Sequence, residues 1–169
     1  MRLPVNVLFL CTGNSARSIM AESLLNGLGR GKFRACSAGS DPTGVVNRFA
    51  RELLEARGLP ADGLRSKSWD EFATLDSPRF DFVFTVCDQA AAESCPVWPG
   101  QPVTAHWGIK DPAKVEGDVE AKQRAFLRAF TELQARILLF VNLPIEHLER
   151  SALEHRVEEI GKEPFTLTA

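Results

Sequence analysis

Residues 11–18 place a nucleophile, small residues and an arginine in one short run, Cys-Thr-Gly-Asn-Ser-Ala-Arg-Ser. Gly13 and Asn14 tolerate positive φ, so the chain can curl until successive backbone N–H groups face one tetrahedral oxyanion. Arg17 can then bind two oxygens of that anion with its planar guanidinium group. The run therefore predicts an oxyanion-binding loop whose substrate contacts come from Thr12, Gly13, Asn14, Ser15, Ala16, Arg17 and Ser18.

Cys11 is the candidate nucleophile of this loop. A helix N-terminus behind the loop, converging N–H groups and the Arg17 guanidinium would each lower the pKa of its thiol. The hydroxyl of Ser15 or Ser18 can donate a further hydrogen bond to the sulfur. An isolated cysteine at a strand end is usually a small buried side chain, but the composition of this loop favours a reactive thiolate. We expect Cys11 to attack the bound anion.

Strand and helix patterns alternate along the chain and place Cys11 at the edge of a sheet. Residues 5–10 form a short apolar run rich in β-formers, as in a strand that is buried on both faces. Further strands are predicted at 33–36, 80–86 and 101–107, and helices at 18–28, 45–57, 88–94, 116–142 and 145–160. The alternation predicts an open four-stranded parallel sheet flanked by helices, in which active sites gather beyond the carboxyl ends of the strands.

The size and composition of the chain suit one domain. Its 169 residues, 44% of them hydrophobic, can bury a sizeable core without disulfides or a structural metal. The long helix carries an apolar stripe that is expected to face this core, made of Phe126, Phe130, Leu133, Ile137 and Phe140. We expect one domain over 1–169, with a core of 1–142, an extra helix in the C-terminal extension 143–169, and an irregular end at 164–169.

Charge and cysteine content exclude several classes of protein. Twenty basic and 22 acidic residues give a net charge of -2 without a basic block, so neither nucleic acid nor a membrane is an expected partner. The apolar run at 5–10 is far shorter than a membrane span and has no signal-peptide cleavage pattern behind it. Four scattered cysteines do not make the disulfide framework of a secreted protein, and the three histidines lie near no ligand cluster. We expect a cytoplasmic monomer with no metal and no cofactor.

The loop and its flanks are similar to a known signature. Residues 7–22, VLFLCTGNSARSIMAE, resemble the signature of the low-molecular-weight tyrosine phosphatases, and even more that of their arsenate reductase relatives. Ser-Ala-Gly at 37–39 and His-Trp-Gly-Ile-Lys-Asp-Pro at 106–112 resemble two further landmarks of this family. The resemblance covers residues 5–142 and implies the low-molecular-weight phosphatase fold, with Asp111 as the general acid that protonates the departing oxygen. An Asp-Pro pair by itself also often starts a turn.

Phosphatases and reductases of this kind both begin with thiolate attack on a tetrahedral anion, so other residues must distinguish them. Phosphatases resemble one another in aromatic residues after the Asp-Pro pair, whereas Ala113 and Lys114 follow it here and the chain has no tyrosine. They also commonly place a cysteine immediately before the loop arginine, where this chain has Ala16. These differences favour arsenate over an aryl phosphate, with phosphate or sulfate as competing anions. A tyrosine phosphatase and a non-enzymatic oxyanion sensor remain the alternatives.

A reductase needs a second thiol to attack the sulfur–arsenic adduct, release arsenite and leave a disulfide. Cys87 follows the third predicted strand and therefore lies at the same sheet edge as Cys11, which would allow a disulfide between them. Cys95 could then attack Cys87, and Cys36 is the alternative third thiol if it is not simply a core side chain. Two unrelated loop thiols, with glutathione or glutaredoxin acting in place of an internal relay, are the other interpretation.

The resemblance leaves two partners open. Family members that use thioredoxin show a similar cysteine pair before a proline, as in Cys95-Pro96, but seven residues separate the two cysteines here, one more than in that pattern. The expected reductant is therefore either thioredoxin or glutaredoxin with glutathione. Some arsenate reductases of the type that this chain resembles bind a monovalent cation near residues similar to Asn14, Glu22 and Ser37, with Ser68 or Asp70 at the remaining position. The resemblance leaves cation activation open.

Overall fold

The computed structural model describes residues 1–166, and its centre is an open four-stranded sheet. The strands are β1 (Val5–Cys11), β2 (Phe33–Gly39), β3 (Phe82–Thr85) and β4 (Val103–His106). All neighbouring strands are parallel, in the order β2-β1-β3-β4. The predicted α/β fold with a four-stranded parallel sheet is therefore confirmed.

Five helices flank the sheet, and their ends follow local capping. They are α1 (Arg17–Leu28), α2 (Arg48–Ala56), α3 (Asp88–Ala92), α4 (Val119–Val141) and α5 (Arg150–Lys162), with 3-10 turns at Trp69–Phe72, Pro112–Lys114 and Ile145–His147. Helix α2 begins later than predicted because the Asn47 side chain accepts a hydrogen bond from Phe49 N and caps it. The single helix predicted at 145–160 is interrupted by extended backbone at Leu148. Residues 164–166 have no regular structure, and the rest of the predicted irregular end, 167–169, lies outside the described residues.

Strand β1 is apolar along its length because both faces of the sheet are covered. Val7 and Phe9 belong to the larger core cluster, which includes α1 and α4. Leu8 and Leu10 point to the opposite face, where they join a smaller cluster with Trp98. The predicted stripe of α4 is buried in the larger cluster, at Phe126, Phe130, Leu133, Ile137 and Phe140. No helix within residues 1–166 combines the length and apolarity needed to cross a bilayer.

Helix α5 covers the edge strand β4. Arg150, at the first turn of α5, donates hydrogen bonds to the carbonyls of Gln101 and Pro102, which precede the strand. At the other end of α5, the backbone of Gly161 packs against the carbonyl oxygen of His106 so closely that a Cβ would not fit. The C-terminal helix therefore runs alongside β4 up to the edge where the catalytic candidates lie.

The strand order places a crevice between the carboxyl ends of β1 and β3. Strand β1 pairs with β2 on one side and with β3 on the other, so the direction in which the chain builds the sheet reverses at β1. Ligands of open α/β sheets bind at such reversal points. The pairing continues to the strand ends, where Val86 N donates to Leu10 O at 2.9 Å. Cys11, at the end of β1, and Cys87, two residues beyond β3, consequently lie at the same edge of the sheet.

Candidate active site

The loop after β1 turns its carbonyl groups outward. Three of these carbonyls accept backbone hydrogen bonds: Thr12 O from Asp41 N at 3.0 Å, Gly13 O from Thr43 N at 3.0 Å, and Ser15 O from Asn47 N at 2.9 Å. Within residues 1–166, no protein acceptor is found for the backbone N–H groups of Asn14, Ser15 and Ala16. Free donors on the inside of a curled loop are the arrangement that binds an anion.

Asn14 holds this loop in shape. Its φ of 45° is in the left-handed region, as predicted, whereas Gly13 does not adopt positive φ. The Asn14 side chain is fully buried and donates to Ser18 Oγ at 2.8 Å and to Ser37 Oγ at 3.0 Å. Its Oδ1 accepts from Lys67 N at 2.9 Å. Since this side chain points away from the anion-binding face of the loop, only the backbone N–H of Asn14 can contact an anion.

The Ser-Ala-Gly landmark supports the loop from the neighbouring strand. Gly39 packs against the carbonyl of Thr12, and a Cβ at this position would collide with that oxygen. Ser37, two residues earlier on β2, donates its hydroxyl to Glu22 Oε1 at 2.9 Å and accepts from Asn14. The small size of Gly39 and the hydrogen bonds of Ser37 therefore both help to hold the loop in place.

A buried ion pair lies beneath the loop. Lys67 is 8% exposed, and its Nζ lies 3.7 Å from Glu22 Oε1 and donates to Arg65 O at 2.9 Å. Burial raises the pKa of Glu22 and lowers that of Lys67, and the opposite charge of each partner counteracts the effect of burial on the other. Sequence reasoning missed Lys67, because a lysine in a polar stretch usually lies at the surface.

The thiols of Cys11 and Cys87 lie close enough that each changes the pKa of the other. Both side chains are buried, with 4% and 2% of their surface exposed. The sulfur of Cys87 also caps α3, where it accepts from Ala90 N at 3.3 Å, and it lies 3.6 Å from Thr12 Oγ1. The structure thus brings together the two cysteines that the strand pattern placed at one edge.

The thiols of Cys11 and Cys87 change each other's pKa. The hydrogen bond to Cys87 and burial raise the pKa of Cys11, although the Arg17 charge and the Gly13 N–H act in the opposite direction. The same hydrogen bond, with smaller contributions from the Ala90 N–H and from Thr12, lowers the pKa of Cys87 to about 5. The ionisation of each thiol therefore depends on that of the other. The ionised Cys11 expected from the sequence, with Ser15 or Ser18 as hydrogen-bond donor, stays a prediction.

Arg17 and Asp111 meet at the mouth of the loop. Arg17 NH1 donates to Ile109 O at 2.9 Å, and its NH2 lies 3.4 Å from Asp111 Oδ2. The other carboxylate oxygen of Asp111 accepts from Ala113 N at 3.0 Å, which caps the following 3-10 turn. The Asp-Pro pair therefore starts a turn and also directs a carboxylate toward the arginine of the loop.

Neither of the remaining cysteines contacts Cys11. Cys95 is exposed, and its Sγ lies 3.9 Å from Glu93 O, while the Glu93 carboxylate accepts from Thr12 Oγ1 at 3.4 Å. Cys36 pairs with Leu8 within the sheet, three residues below the level of Cys11, a separation of roughly 10 Å along the strand. The cysteine that lies beside Cys11, the candidate nucleophile, is Cys87.

The side chains that could bind a metal ion are scattered. Over residues 1–166 no cluster of three or more His, Cys, Asp or Glu side chains is found that could hold a metal ion. His106 instead bonds to Thr85 Oγ1 and to Asp88 Oδ1, both at 2.8 Å, which fixes the start of α3.

The fold and the loop define the class of protein. The sequence profile of the low molecular weight phosphotyrosine protein phosphatase family matches residues 6–151. The chain belongs to this family. Helix α5 lies almost wholly beyond the matched residues and is an addition to the family core.

The names of similar proteins indicate an activity more specific than that of the family as a whole. The arsenate reductase of Shouchella clausii is 36% identical over 135 residues, which cover 79% of this chain and 93% of that protein. The structure of arsenate reductase from Archaeoglobus fulgidus has a TM-score of 0.64 at 33% identity, covering 81% of this chain and 99% of that one. A thioredoxin-dependent arsenate reductase from Corynebacterium glutamicum has a TM-score of 0.53 at 26% identity, covering 81% and 64%. The resemblance to arsenate reductases predicted from the sequence is confirmed.

Proposed function

We propose that this protein reduces arsenate to arsenite with its own thiols. The observation that carries the proposal is the contact between Cys11, at the start of the anion loop, and Cys87. A phosphatase needs one thiol and water, whereas reduction by two electrons needs a second thiol next to the first. The names of the relatives described above support the same activity.

Arsenate binds in the loop formed by Thr12, Gly13, Asn14, Ser15, Ala16, Arg17 and Ser18. The free N–H groups of Asn14, Ser15 and Ala16 donate to its oxygens, and the guanidinium of Arg17 turns from Asp111 to bind the anion. Phosphate and sulfate have the same tetrahedral shape and compete for the site. The loop provides no contact specific to arsenic, so selectivity comes from the redox step.

The first step joins Cys11 to arsenic. The Cys87 thiolate accepts the Cys11 proton along their hydrogen bond, and the resulting Cys11 thiolate attacks arsenic. The bond from arsenic to one hydroxyl breaks, and Asp111 donates a proton so that this oxygen leaves as water. Cys87 thus acts as the base that activates the nucleophile.

The second step transfers the electrons. Cys87 attacks the sulfur of the Cys11–arsenic adduct, so the S–S bond forms as the S–As bond breaks. The electron pair of the broken bond stays on arsenic, which is reduced from As(V) to As(III). The Cys87 proton passes to an arsenite oxygen, and the two thiols end as a Cys11–Cys87 disulfide.

Cys95 moves the disulfide to the surface. It attacks Cys87 in the disulfide, which frees Cys11 and leaves a Cys87–Cys95 bond. The start of α3 depends on the Cys87 sulfur, which accepts the Ala90 N–H, so oxidation removes the negative charge that caps this five-residue helix. Loss of the cap allows the segment that carries Cys95 to move.

Thioredoxin is the proposed reductant of the exposed disulfide, in line with the name of the Corynebacterium glutamicum relative. The proposal places the protein in the cytoplasm, where thioredoxin keeps thiols reduced, as a monomer. It treats residues 1–169 as one domain, with the core at 1–142 and the helical extension at 143–169.

A low-molecular-weight tyrosine phosphatase is the second candidate, because the family itself is described by that activity. The same cradle, nucleophile and Asp111 would serve phosphomonoester hydrolysis. Ala113 and Lys114 follow the Asp-Pro pair, however, and offer no aromatic wall for a phosphotyrosine ring. A reductase that uses glutathione or glutaredoxin directly on the adduct would need no Cys87.

Arsenite release in a single turnover tests the proposal. Reduced protein mixed with arsenate and no added thiol should release arsenite in an amount equal to the protein, and Cys87→Ser should release none. Cys36→Ser is the matched control, since that thiol lies outside the relay, and it should behave as the unmutated protein. Equal release by Cys87→Ser would overturn the internal relay, and hydrolysis of phosphotyrosine peptides without arsenite formation would favour the phosphatase.

A further inference from the structure

We propose that Lys67 supplies the positive charge beneath the anion loop and takes the place of the monovalent cation that the family resemblance leaves open. The site in question is formed by Asn14, Glu22, Ser37 and Lys67. This proposal assumes one part of the proposed function, namely that the loop binds the oxyanion. Its structural basis is independent of the reaction.

The polar groups of this site do not fit a bound cation. A monovalent cation needs several oxygen atoms directed toward one point. Here the Asn14 carbonyl oxygen accepts from Lys67 N, and its amide nitrogen faces Ser37 and Ser18. This orientation is fixed, because a backbone N–H can only donate and must face the amide oxygen. The oxygen expected to ligate a cation is therefore already occupied.

The remaining expected ligands are also engaged elsewhere. The hydroxyl of Ser68 accepts from Asp70 N at 3.1 Å and caps the 3-10 turn at Trp69–Phe72. Asp70 itself is exposed. Glu22 already faces the ammonium of Lys67 at 3.7 Å, and Ser37 donates its hydroxyl to the same carboxylate oxygen. A second cation would be repelled by that ammonium in a buried setting, where charges are poorly screened.

Lys67 is joined to the loop through both backbone and side chain. Its N–H bonds to the Asn14 side chain, and its carbonyl accepts from Gly39 N at 2.9 Å, next to Thr12 of the loop. Its ammonium neutralises Glu22, which orients Ser37 and through it Asn14. Lys67 is therefore a positioning residue for the oxyanion loop, and the protein should not depend on K⁺.

The response of the thermal midpoint to K⁺ tests this inference, and it does not require arsenate chemistry. Melting of the unmutated protein should give the same midpoint in potassium chloride and in tetramethylammonium chloride at equal ionic strength. A saturable rise with K⁺ would overturn the inference, since a cation would then bind in addition to Lys67. Because this measurement uses the unmutated protein, it tests for a bound K⁺ even if a variant does not fold.

The variant Lys67→Ala should create the missing cation site. In tetramethylammonium chloride its thermal midpoint should fall by roughly 10 °C, because an unpaired carboxylate remains buried. Potassium should restore part of that loss, and should also restore phosphate binding measured by calorimetry. Lys162→Ala, which removes an exposed lysine on α5, is the control and should respond to neither salt. A Lys67→Ala protein insensitive to K⁺ would overturn the inference.

Discussion

In the proposed mechanism, transfer of a proton from Cys11 to Cys87 activates the nucleophile. The Arg17 charge and the Gly13 N–H favour a thiolate at Cys11, but burial and the neighbouring sulfur outweigh them. The interaction with Cys11 lowers the pKa of Cys87, with smaller contributions in the same direction from the Ala90 N–H and Thr12. Each sulfur therefore changes the pKa of the other, and under the proposed mechanism Cys87 is the base that activates Cys11.

Titration of the thiolate ultraviolet absorbance checks this coupling. In the unmutated protein, one thiolate should appear as the pH rises through about 5, the pKa of Cys87. Cys11→Ala removes the hydrogen bond that lowers this pKa, so the midpoint should move up toward the ordinary thiol value. Cys87→Ala removes the partner that raises the Cys11 pKa, which should fall. Cys36→Ala should leave the midpoint near 5, and an unchanged midpoint in Cys11→Ala would refute the coupling of the two thiols.

At the scale of elements, the strand ends deliver each functional group to the same edge. Strand β1 leads to Cys11, β3 leads to Cys87, and β4 leads through Trp107 to Asp111. Trp107 is fully buried, stacks on Phe84 at 4.0 Å, and donates its indole N–H to Val157 O of α5 at 2.9 Å. The C-terminal helix thereby anchors the segment that leads to Asp111, the proposed general acid.

Gly161→Ala tests the role of α5. The added methyl group would meet the carbonyl of His106, so either α5 or the end of β4 must shift. We expect a loss of about 1–3 kcal/mol in unfolding free energy, as for overpacking in a dense interior, and a slower single-turnover rate with phosphate affinity unchanged. Unfolding in urea and stopped-flow arsenite release provide the two measurements. Ser151→Ala, on the exposed side of α5, is the control, and an identical outcome for both variants would contradict this role.

Some features of the fold and site could be predicted from the sequence because they depend on local pattern. The apolar run of β1, the stripe of α4 and the loop of small residues after Leu10 follow from burial and backbone conformation within a few residues. The ionisation of Cys11 could not, since the group that controls it lies 76 positions further along the chain. The same holds for Lys67, whose partner Glu22 belongs to another element. Helix ends were misplaced where a side chain such as Asn47 capped the backbone.

For the whole molecule, the proposed relay makes turnover depend on a reductant that can reach Cys95. With thioredoxin and its reductase, the unmutated protein and Cys36→Ser should both turn over arsenate, whereas Cys95→Ser should stop after one cycle because its disulfide stays buried. NADPH consumption measures this directly. Glutaredoxin with glutathione should support little turnover, and sustained turnover of Cys95→Ser with that system would reassign the reductant.

The disulfide formed after one turnover tests the central claim most directly. Cys95→Ser is mixed with arsenate, quenched in acid with a thiol-blocking reagent, digested and analysed by mass spectrometry. The account predicts a Cys11–Cys87 disulfide in an amount equal to the arsenite released, with Cys36 blocked as a free thiol. A protein with all three remaining thiols blocked after arsenite release, or a disulfide that includes Cys36, would contradict it.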